Sequence, residues 1–454
     1  MATNALEPDL HHTHLSIAPI LRTPPEILQQ IFTGCFDTRF PHPQPFSSAE
    51  APLLLCGVCR LWRALAISTP ELWAHISVSI GRHTPETVKP SPHLVKNWIA
   101  RSGCQPITFV LQDLGLPSSC PDIANDLLKI FLPQIHRWQS VTLILPNHDF
   151  PASLTALEIP FGRASLLQIA KFEFGVETGL GLNAEIPQIG GLSRILGSSS
   201  QLHTLYWRND LYTLEFIEVR WAQLTVVDLV PLWRPMSQII DVMRKAPLRS
   251  LSAFIADASG HVAAPLVLPD LLILWIGTEV DLSPLFRQLT LPSLQNINVF
   301  CANPVIPQTE VVRCIARSGC LVNTAILKSL RIPKAELITF LRSSPSLRLL
   351  DISNGGEVTI TDDILSLLTV RDEPCVCPNL RIIRFLESSV FSADGVLADM
   401  VASRLEAIPS ATLSRLSVHF SDADLPGHWE DIRRLKGLGD ATDCRVWINE
   451  PETA

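Results

Sequence analysis

Residues 271–299 read LLILWIGTEVDLSPLFRQLTLPSLQNINV. The stretch contains one spacing twice: an apolar residue, two variable positions, an apolar residue, one variable position and an apolar residue. The two copies are Leu271-Leu274-Ile276 and Leu294-Ile297-Val299. The last two apolar residues of each copy stand two positions apart, which puts both side chains on one face of a β-strand. Each copy therefore predicts a strand that buries one face.

The same spacing returns along most of the chain. Further copies are Trp138-Val141-Leu143, Ile169-Phe172-Phe174, Leu202-Leu205-Trp207, Leu224-Val227-Leu229, Leu327-Leu330-Ile332, Leu347-Leu350-Ile352, Leu380-Ile383-Phe385 and Leu413-Leu416-Val418, with a partial copy at Leu248-Leu251-Ala253. Their first positions lie 20 to 33 residues apart. This period is typical of leucine-rich repeats, in which each unit supplies one strand and a return segment. The longer intervals leave room for a helix, and helical spacing predicts one within 392–407.

A duplicated hexapeptide supports the repeat interpretation. IARSGC occurs at Ile99–Cys104 and again at Ile315–Cys320, and an apolar stretch follows each copy. Ser-Gly after an amphipathic run indicates the end of a helix, and the apolar stretch then predicts the next strand.

Residues 20–80 follow a different, helical pattern. Residues 24–26 (Pro-Pro-Glu) predict a helix start, with Thr23 as the N-cap and Glu26 completing a capping box. An apolar stripe at helical spacing follows, and a second apolar run covers 52–67. The stripe consists of Ile27, Leu28, Ile31 and Phe32. A block this small is expected to be only marginally stable as an independent domain. A partner that covers its surplus apolar surface would stabilise it.

This block resembles the F-box domain, most closely that of the F-box/leucine-rich-repeat proteins of mushroom-forming fungi. The motifs that carry the resemblance are Ile20 with Pro24-Pro25-Glu26-Ile27-Leu28-x-x-Ile31-Phe32, then Cys56-x-Val58-Cys59-Arg60-x-Trp62-x-x-Leu65-Ala66, then Thr69-Pro70-x-Leu72-Trp73-x-x-Ile76. The family usually has Leu where Thr23 stands. The resemblance implies an α+β or α/β fold, with a small three-helix F-box followed by an irregular, curved leucine-rich-repeat solenoid.

F-box proteins of this kind serve as substrate receptors of the Skp–cullin–F-box ubiquitin ligase. The resemblance therefore implies a non-catalytic subunit whose partners are a Skp-type adaptor, through it a cullin, and a target protein. The family's adaptor contacts correspond here to Pro24, Pro25, Ile27, Leu28, Ile31, Val58, Cys59 and Trp62.

The target is expected on the repeat region. The variable position between the last two apolar residues of each copy points away from the core, onto the exposed strand face. The substrate-binding candidates among these positions are Tyr206, Asp228, Trp275, Asn298, Arg331, Asp351 and Arg384. Trp275 stands out because an exposed Trp is a good binding anchor; the competing interpretation is that it packs under a loop or that the register is shifted by one.

Composition narrows the function classes. The net charge of −8 argues against sequence-independent nucleic-acid binding, and no run of 18 apolar residues predicts a membrane span. The irregularly spaced 11 Cys indicate reduced thiols in the cytoplasm or nucleus. The predicted organisation is a disordered leader (1–19), an F-box domain (20–80), a linker (81–93) and a leucine-rich-repeat-like domain (94–454).

The sequence gives little support for a catalytic, cofactor-binding or metal-binding site. Cys56 and Cys59 form a lone CxxC without the second pair that zinc needs. No phosphate-binding glycine loop, nucleophile elbow or HExxH is present. We therefore expect no catalytic residues, no metal and no cofactor. Two alternatives stay open: a repeat scaffold whose F-box is not coupled to a ligase, and an enzyme whose site is assembled from scattered residues.

Overall fold

The structure of the 454-residue chain is a computed structural model. The structure describes residues 19–35, 47–80, 89–113, 121–145, 164–174, 190–209, 217–258, 264–303, 305–353, 360–371, 375–386, 390–407, 413–420 and 425–449. Most of the predicted leader and residues 81–88 of the predicted linker lie outside these ranges.

The described part is a mixed α/β fold built on one long sheet. Fourteen parallel strands follow one another in chain order, except that two short strands, β8 and β10, form their own pair. The strands are β1 (His75–Ile80), β2 (Ile107–Asp113), β3 (Trp138–Leu145), β4 (Ile169–Phe174), β5 (Thr204–Asn209), β6 (Val226–Pro235), β7 (Ser250–Asp257), β8 (Leu266–Val267), β9 (Ile273–Thr278), β10 (Leu289–Thr290), β11 (Asn296–Cys301), β12 (Thr324–Lys328), β13 (Leu349–Ser353), β14 (Ile382–Leu386), β15 (Arg415–Val418) and β16 (Arg445–Ile448).

Thirteen α-helices occur in the described ranges, three before the sheet and the rest between its strands. They are α1 (Pro25–Gly34), α2 (Leu53–Val58), α3 (Arg60–Ile67), α4 (Pro92–Arg101), α5 (Pro121–Phe131), α6 (Gly190–Ser198), α7 (Met236–Lys245), α8 (Ser283–Phe286), α9 (Thr309–Ser318), α10 (Lys334–Arg342), α11 (Asp362–Leu368), α12 (Val396–Ala407) and α13 (Trp429–Ala441). The helix predicted within 392–407 is confirmed as α12. Parallel neighbours need such return segments because a two-residue turn cannot join them.

The N-terminal block has three α-helices, but two details differ from the sequence prediction. Thr23 is not the N-cap of α1: Pro24 holds that position, and no side chain caps the helix. The run at 52–67 is two helices, because Cys59 adopts an extended backbone (φ −157°, ψ 173°) and separates α2 from α3. The block's last segment forms β1, so the sheet begins within the range assigned to the F-box domain.

Strand burial alternates as the repeat spacing predicts. In β4, β7, β11, β12 and β14, every second side chain is buried and the residues between are half-buried or more exposed. One face of the sheet therefore carries the core, and we call the other the open face. A single cluster of buried apolar side chains extends from Leu28 in α1 to Ile448 in β16.

Two of the predicted copies are out of register with the others. On β4, Lys171 and not Glu173 pairs with Thr142 and Tyr206, so the copy in register is Leu167-Ala170-Phe172. On β12, Ile326 pairs with Asn298 and Asp351, and the copy in register is Val322-Ala325-Leu327. Both true copies have Ala at the central position. Ala170 and Ala325 are fully buried, but a search for large apolar side chains passes over them.

The duplicated hexapeptides end helices as predicted. The copies finish α4 and α9, and Gly103 and Gly319 follow with φ of +55° and +62°. Glycine has no Cβ and adopts this left-handed conformation without steric cost. The strands that follow are β2 and β12.

Within the described ranges, the helices are all too short or too polar to cross a membrane.

Candidate functional site

The three N-terminal helices carry an unusual amount of exposed apolar surface. Seven of the sixteen large apolar side chains that are strongly exposed in the described ranges belong to this block, each 40–54% exposed. We call these seven side chains the N-terminal apolar surface. They are Ile20, Ile27, Ile31, Leu54, Val58, Leu61 and Ile67. Ile27 and Ile31 lie one turn apart on α1, as do Leu54 and Val58 on α2, so each pair shares a helix face.

The structure divides the predicted adaptor residues into exposed and packed groups. Pro24, Pro25, Ile27, Ile31 and Val58 are exposed. Leu28 is fully buried, so it offers no surface to an adaptor in this structure. Positions 28 and 32 point into the block while 27 and 31 point out, a division the linear pattern left open.

Cys59 and Trp62 are half-buried and belong to the block's own packing. The Cys59 Sγ accepts a hydrogen bond from the Trp62 backbone N–H at 3.4 Å, which caps α3. The Trp62 ring packs on Phe32, with centroids 4.9 Å apart. These contacts join α1 to α3 and hold Ile31 and the α3 side chains in one fixed arrangement.

On the open face, six of the seven substrate-binding candidates fall in a single row across the sheet. Paired positions run Lys171, Tyr206, Asp228, Ser252, Trp275, Asn298, Ile326, Asp351, Arg384 and Ser417. Arg331 is the exception: β12 ends at Lys328, and Arg331 makes an isolated bridge with Pro307 outside the row. Its predicted place on the strand face is wrong because the copy at 327–332 was out of register.

Ion pairs occupy two parts of this row. Arg208 lies 3.4 Å from Glu173 and 3.5 Å from Asp228, so one guanidinium links two carboxylates across three strands. Burial and the nearby Asp228 carboxylate raise the pKa of Tyr206. Its hydroxyl therefore stays protonated and available as a hydrogen-bond donor.

Asp351 and Arg384 form the second pair, at 3.5 Å. Asp351 is only 1% exposed, so it offers almost no surface to a target in this structure. Its carboxylate instead orients Arg384, whose side chain remains one-third exposed.

Trp275 belongs to a group of three aromatic side chains. Phe254 lies between Trp233 and Trp275, with ring centroids 4.6 Å and 5.0 Å away. Trp233 and Phe254 were missed by the sequence reasoning. Phe254 stands two positions after Ser252, so the period of the strand was a sufficient signal for it. Trp233 had no such signal because its strand is irregular.

Asp394, His428 and Asp431 form the one group of potential metal ligands found in the described ranges, with ligand atoms within 4.8 Å of one another. Existing hydrogen bonds use these atoms. Asp394 accepts from the backbone N–H groups of Glu430 and Asp431, while Asp431 accepts from the Ala398 N–H and lies 3.0 Å from His428 Nδ1. Asp394 thus caps the N-terminus of α13, and Asp431 caps the N-terminus of α12. The potential ligand atoms therefore already have a structural role.

The two cysteines whose pKa is raised most by burial are poor nucleophiles. Burial raises the pKa of Cys377 to about 12 and that of Cys320 to about 11. Both remain thiols at neutral pH, and a thiolate is the reactive form.

No protein-family model matches the sequence, and comparison with curated proteins returns no match. Arguments about function therefore depend on the two surfaces described above.

Proposed function

We propose that this chain is the substrate-receptor subunit of a Skp–cullin–F-box ubiquitin ligase, present in the cytoplasm or nucleus. The observation that supports this proposal most directly is the N-terminal apolar surface. Monomeric proteins rarely leave such a group of large apolar side chains exposed unless a partner covers it. In this proposal a Skp-type adaptor covers Ile27, Ile31 and Val58, with Pro24 and Pro25 at the edge of the contact.

The long sheet takes the role of a leucine-rich-repeat solenoid in this proposal. Its strands lie in chain order and present an open row of variable residues, which is the arrangement repeat proteins use for extended binding surfaces. The chain itself then carries out no covalent chemistry. It holds a target near a conjugating enzyme, and proximity accelerates the transfer of ubiquitin.

Binding to a purified fungal Skp-type adaptor tests the proposal. Replacing Ile31 and Val58 together by Asp puts two charges into the proposed interface while leaving the buried Leu28 and Phe32 intact. Each buried Ile or Val contributes roughly 1.5–3 kcal/mol, so the double variant is expected to bind at least about 100-fold more weakly. Isothermal titration calorimetry measures the change.

The control is Leu321→Asp, which introduces one such charge at a side chain that is 65% exposed and far from the block in sequence. It is expected to bind the adaptor like the parent chain. A folded parent chain that does not bind would contradict the ligase proposal and favour the alternative, a repeat scaffold with an uncoupled F-box.

A further inference from the structure

The open face carries an aromatic patch that neither the repeat pattern nor the proposed fold requires. We define the patch as Trp233, Phe254, Trp275 and Phe300. Trp275 and Phe254 are half-buried on the open face, and Trp233 remains 39% exposed although it stacks on Phe254. Phe300 lies on the same face, two positions after Asn298, and pairs with Gly277. Four aromatic side chains therefore lie on the face that is free of the core, and the rings of Trp233 and Trp275 both contact Phe254.

The first support for a binding role is the path of β6. Asp228 pairs with Ser252 and Trp233 pairs with Phe254, so five steps on β6 correspond to two steps on β7. The three extra residues form a bulge, and the bulge returns Trp233 to the open face beside Phe254. Bulges that re-aim a side chain are over-represented next to functional sites.

The second support is the glycine beneath the patch. A Cβ built at Gly277 would lie 2.0 Å from Phe254 Cδ1 and 2.1 Å from Cε1. The Phe254 ring thus lies over β9 in space that any other residue would occupy. Because Gly277 leaves that space, the ring can lie between Trp233 and Trp275 and the three side chains form one continuous platform.

Polar groups flank the patch on one side. Asn298 is the neighbour of Trp275 in the row, and Lys328 is the neighbour of Phe300. Among the described residues, the Asn298 side chain has no hydrogen-bond partner and the Lys328 ammonium has no ion-pair partner. In contrast, the cations Arg208 and Arg384 on the same face are already paired with carboxylates.

We infer that the aromatic patch and Lys328 together bind an extended segment of the target protein, with a large apolar or aromatic side chain on the patch and an Asp or Glu at Lys328. Asn298 supplies a hydrogen bond to the main chain of that segment. The inference deepens the proposed function, since it names the class of target that the receptor recognises.

The sheet geometry sets the spacing of the two anchors. Lys328 on β12 stands two strands from Trp275 on β9 and three strands from Phe254 on β7. At about 4.8 Å between strands this separation is about 10–14 Å, which an extended segment covers in about three to four residues. The expected motif is therefore an apolar residue followed or preceded, three or four positions away, by an acidic residue.

Selection from a random 12-residue peptide display library on the full-length chain tests the inference. The enriched peptide is then synthesised, labelled with a fluorophore and titrated by fluorescence anisotropy. We expect the motif above to be enriched. Phe254→Ser is expected to weaken binding at least tenfold, because it removes the centre of the platform.

Lys328→Glu tests the proposed charge pairing directly. It is expected to weaken binding of the acidic peptide at least tenfold and to recover binding when the peptide's acidic residue is replaced by Lys. A merely structural role for Lys328 would not produce this exchange of preference. Trp447→Ser is the matched control, because Trp447 is 53% exposed on the same face, at the far edge strand β16. It should bind within twofold of the parent.

Several outcomes would overturn the inference. The first is the absence of an enriched motif, and the second is an enriched peptide that binds both variants as tightly as the parent. The third is a dimer of the parent chain that Phe254→Ser dissociates, because that result would assign the patch to a second copy. Each variant is also titrated with the adaptor. Loss of peptide binding with intact adaptor binding concerns the patch alone, whereas a parent that binds peptide but no adaptor rejects the ligase proposal and leaves the patch in place.

Discussion

Arg404 shows how single polar residues hold the return segments together. The residue is 2% exposed, and its guanidinium donates hydrogen bonds to the carbonyl oxygens of Leu368, Val376 and Cys377 at 2.7–3.0 Å. Burial lowers the pKa of Arg404. The cost of burying this cation is offset only because several carbonyl groups surround it.

Replacing Arg404 by Leu tests this account. The substitution leaves three carbonyl groups buried without donors, so it is expected to lower the free energy of unfolding by about 3–5 kcal/mol. Urea unfolding followed by circular dichroism measures the change. Arg342→Ala, at an exposed position on the end of α10, is the control and should leave the unfolding midpoint nearly unchanged. Equal stability of the Arg404 variant and the parent would show that the carbonyl groups find other donors.

Individual helices end where glycine permits a left-handed residue. Gly319 closes α9 with φ +62° and ψ 22°, and no atom lies within 4 Å of the position its Cβ would take. Any effect of adding a side chain there is therefore a backbone effect and not a packing clash.

Gly319→Ala is expected to cost about 1–2 kcal/mol, because an L-residue is strained in this conformation. The comparison is Gly34→Ala, since Gly34 also has open space around it but lies within the last turn of α1. There alanine should be neutral or stabilising. Differential scanning fluorimetry of both variants gives the two signs, and a Gly319→Ala melting temperature at or above that of Gly34→Ala would contradict the explanation.

The register of the strands could be predicted from the sequence only in part. The spacing of apolar residues placed β5, β6, β9 and β11 in the correct register because large side chains occupy both buried positions. It failed on β4 and β12, where Ala170 and Ala325 take the central position, and this error moved one candidate to Arg331. Periodicity reports which residues are apolar, whereas register depends on hydrogen bonds to the neighbouring strand.

Across the whole molecule, the N-terminal block and the sheet share one core. Trp73 is buried and packs edge-on against Trp98 of α4, with centroids 5.5 Å apart, while Arg101 lies 4.4 Å above its ring. β1 pairs along its length with β2. The last segment of the block, β1, therefore covers the edge that β2 would otherwise expose.

Two truncations test this continuity. A fragment of residues 69–454 keeps Trp73 and β1 and is expected to fold as a monomer. A fragment of residues 89–454 loses both, leaves β2 as an exposed edge with Trp98 uncovered, and is expected to aggregate or to melt at a lower temperature. Size-exclusion chromatography and thermal melting distinguish them. Equal behaviour of the two fragments would show that the sheet does not need β1.

The sequence alone determined the number and order of most strands, the ends of the duplicated helices and the helical character of the first block. These features are local, because spacing, proline, glycine and side-chain size act within a few residues. Tertiary structure decided which side of α1 is buried, so that Leu28 faces inward and Ile31 outward. It also decided that Asp351 is buried beneath Arg384 and that Trp233, Phe254 and Trp275 meet on one face. Each of these depends on which residues of distant segments lie opposite one another, and that information exists only once the strands have paired.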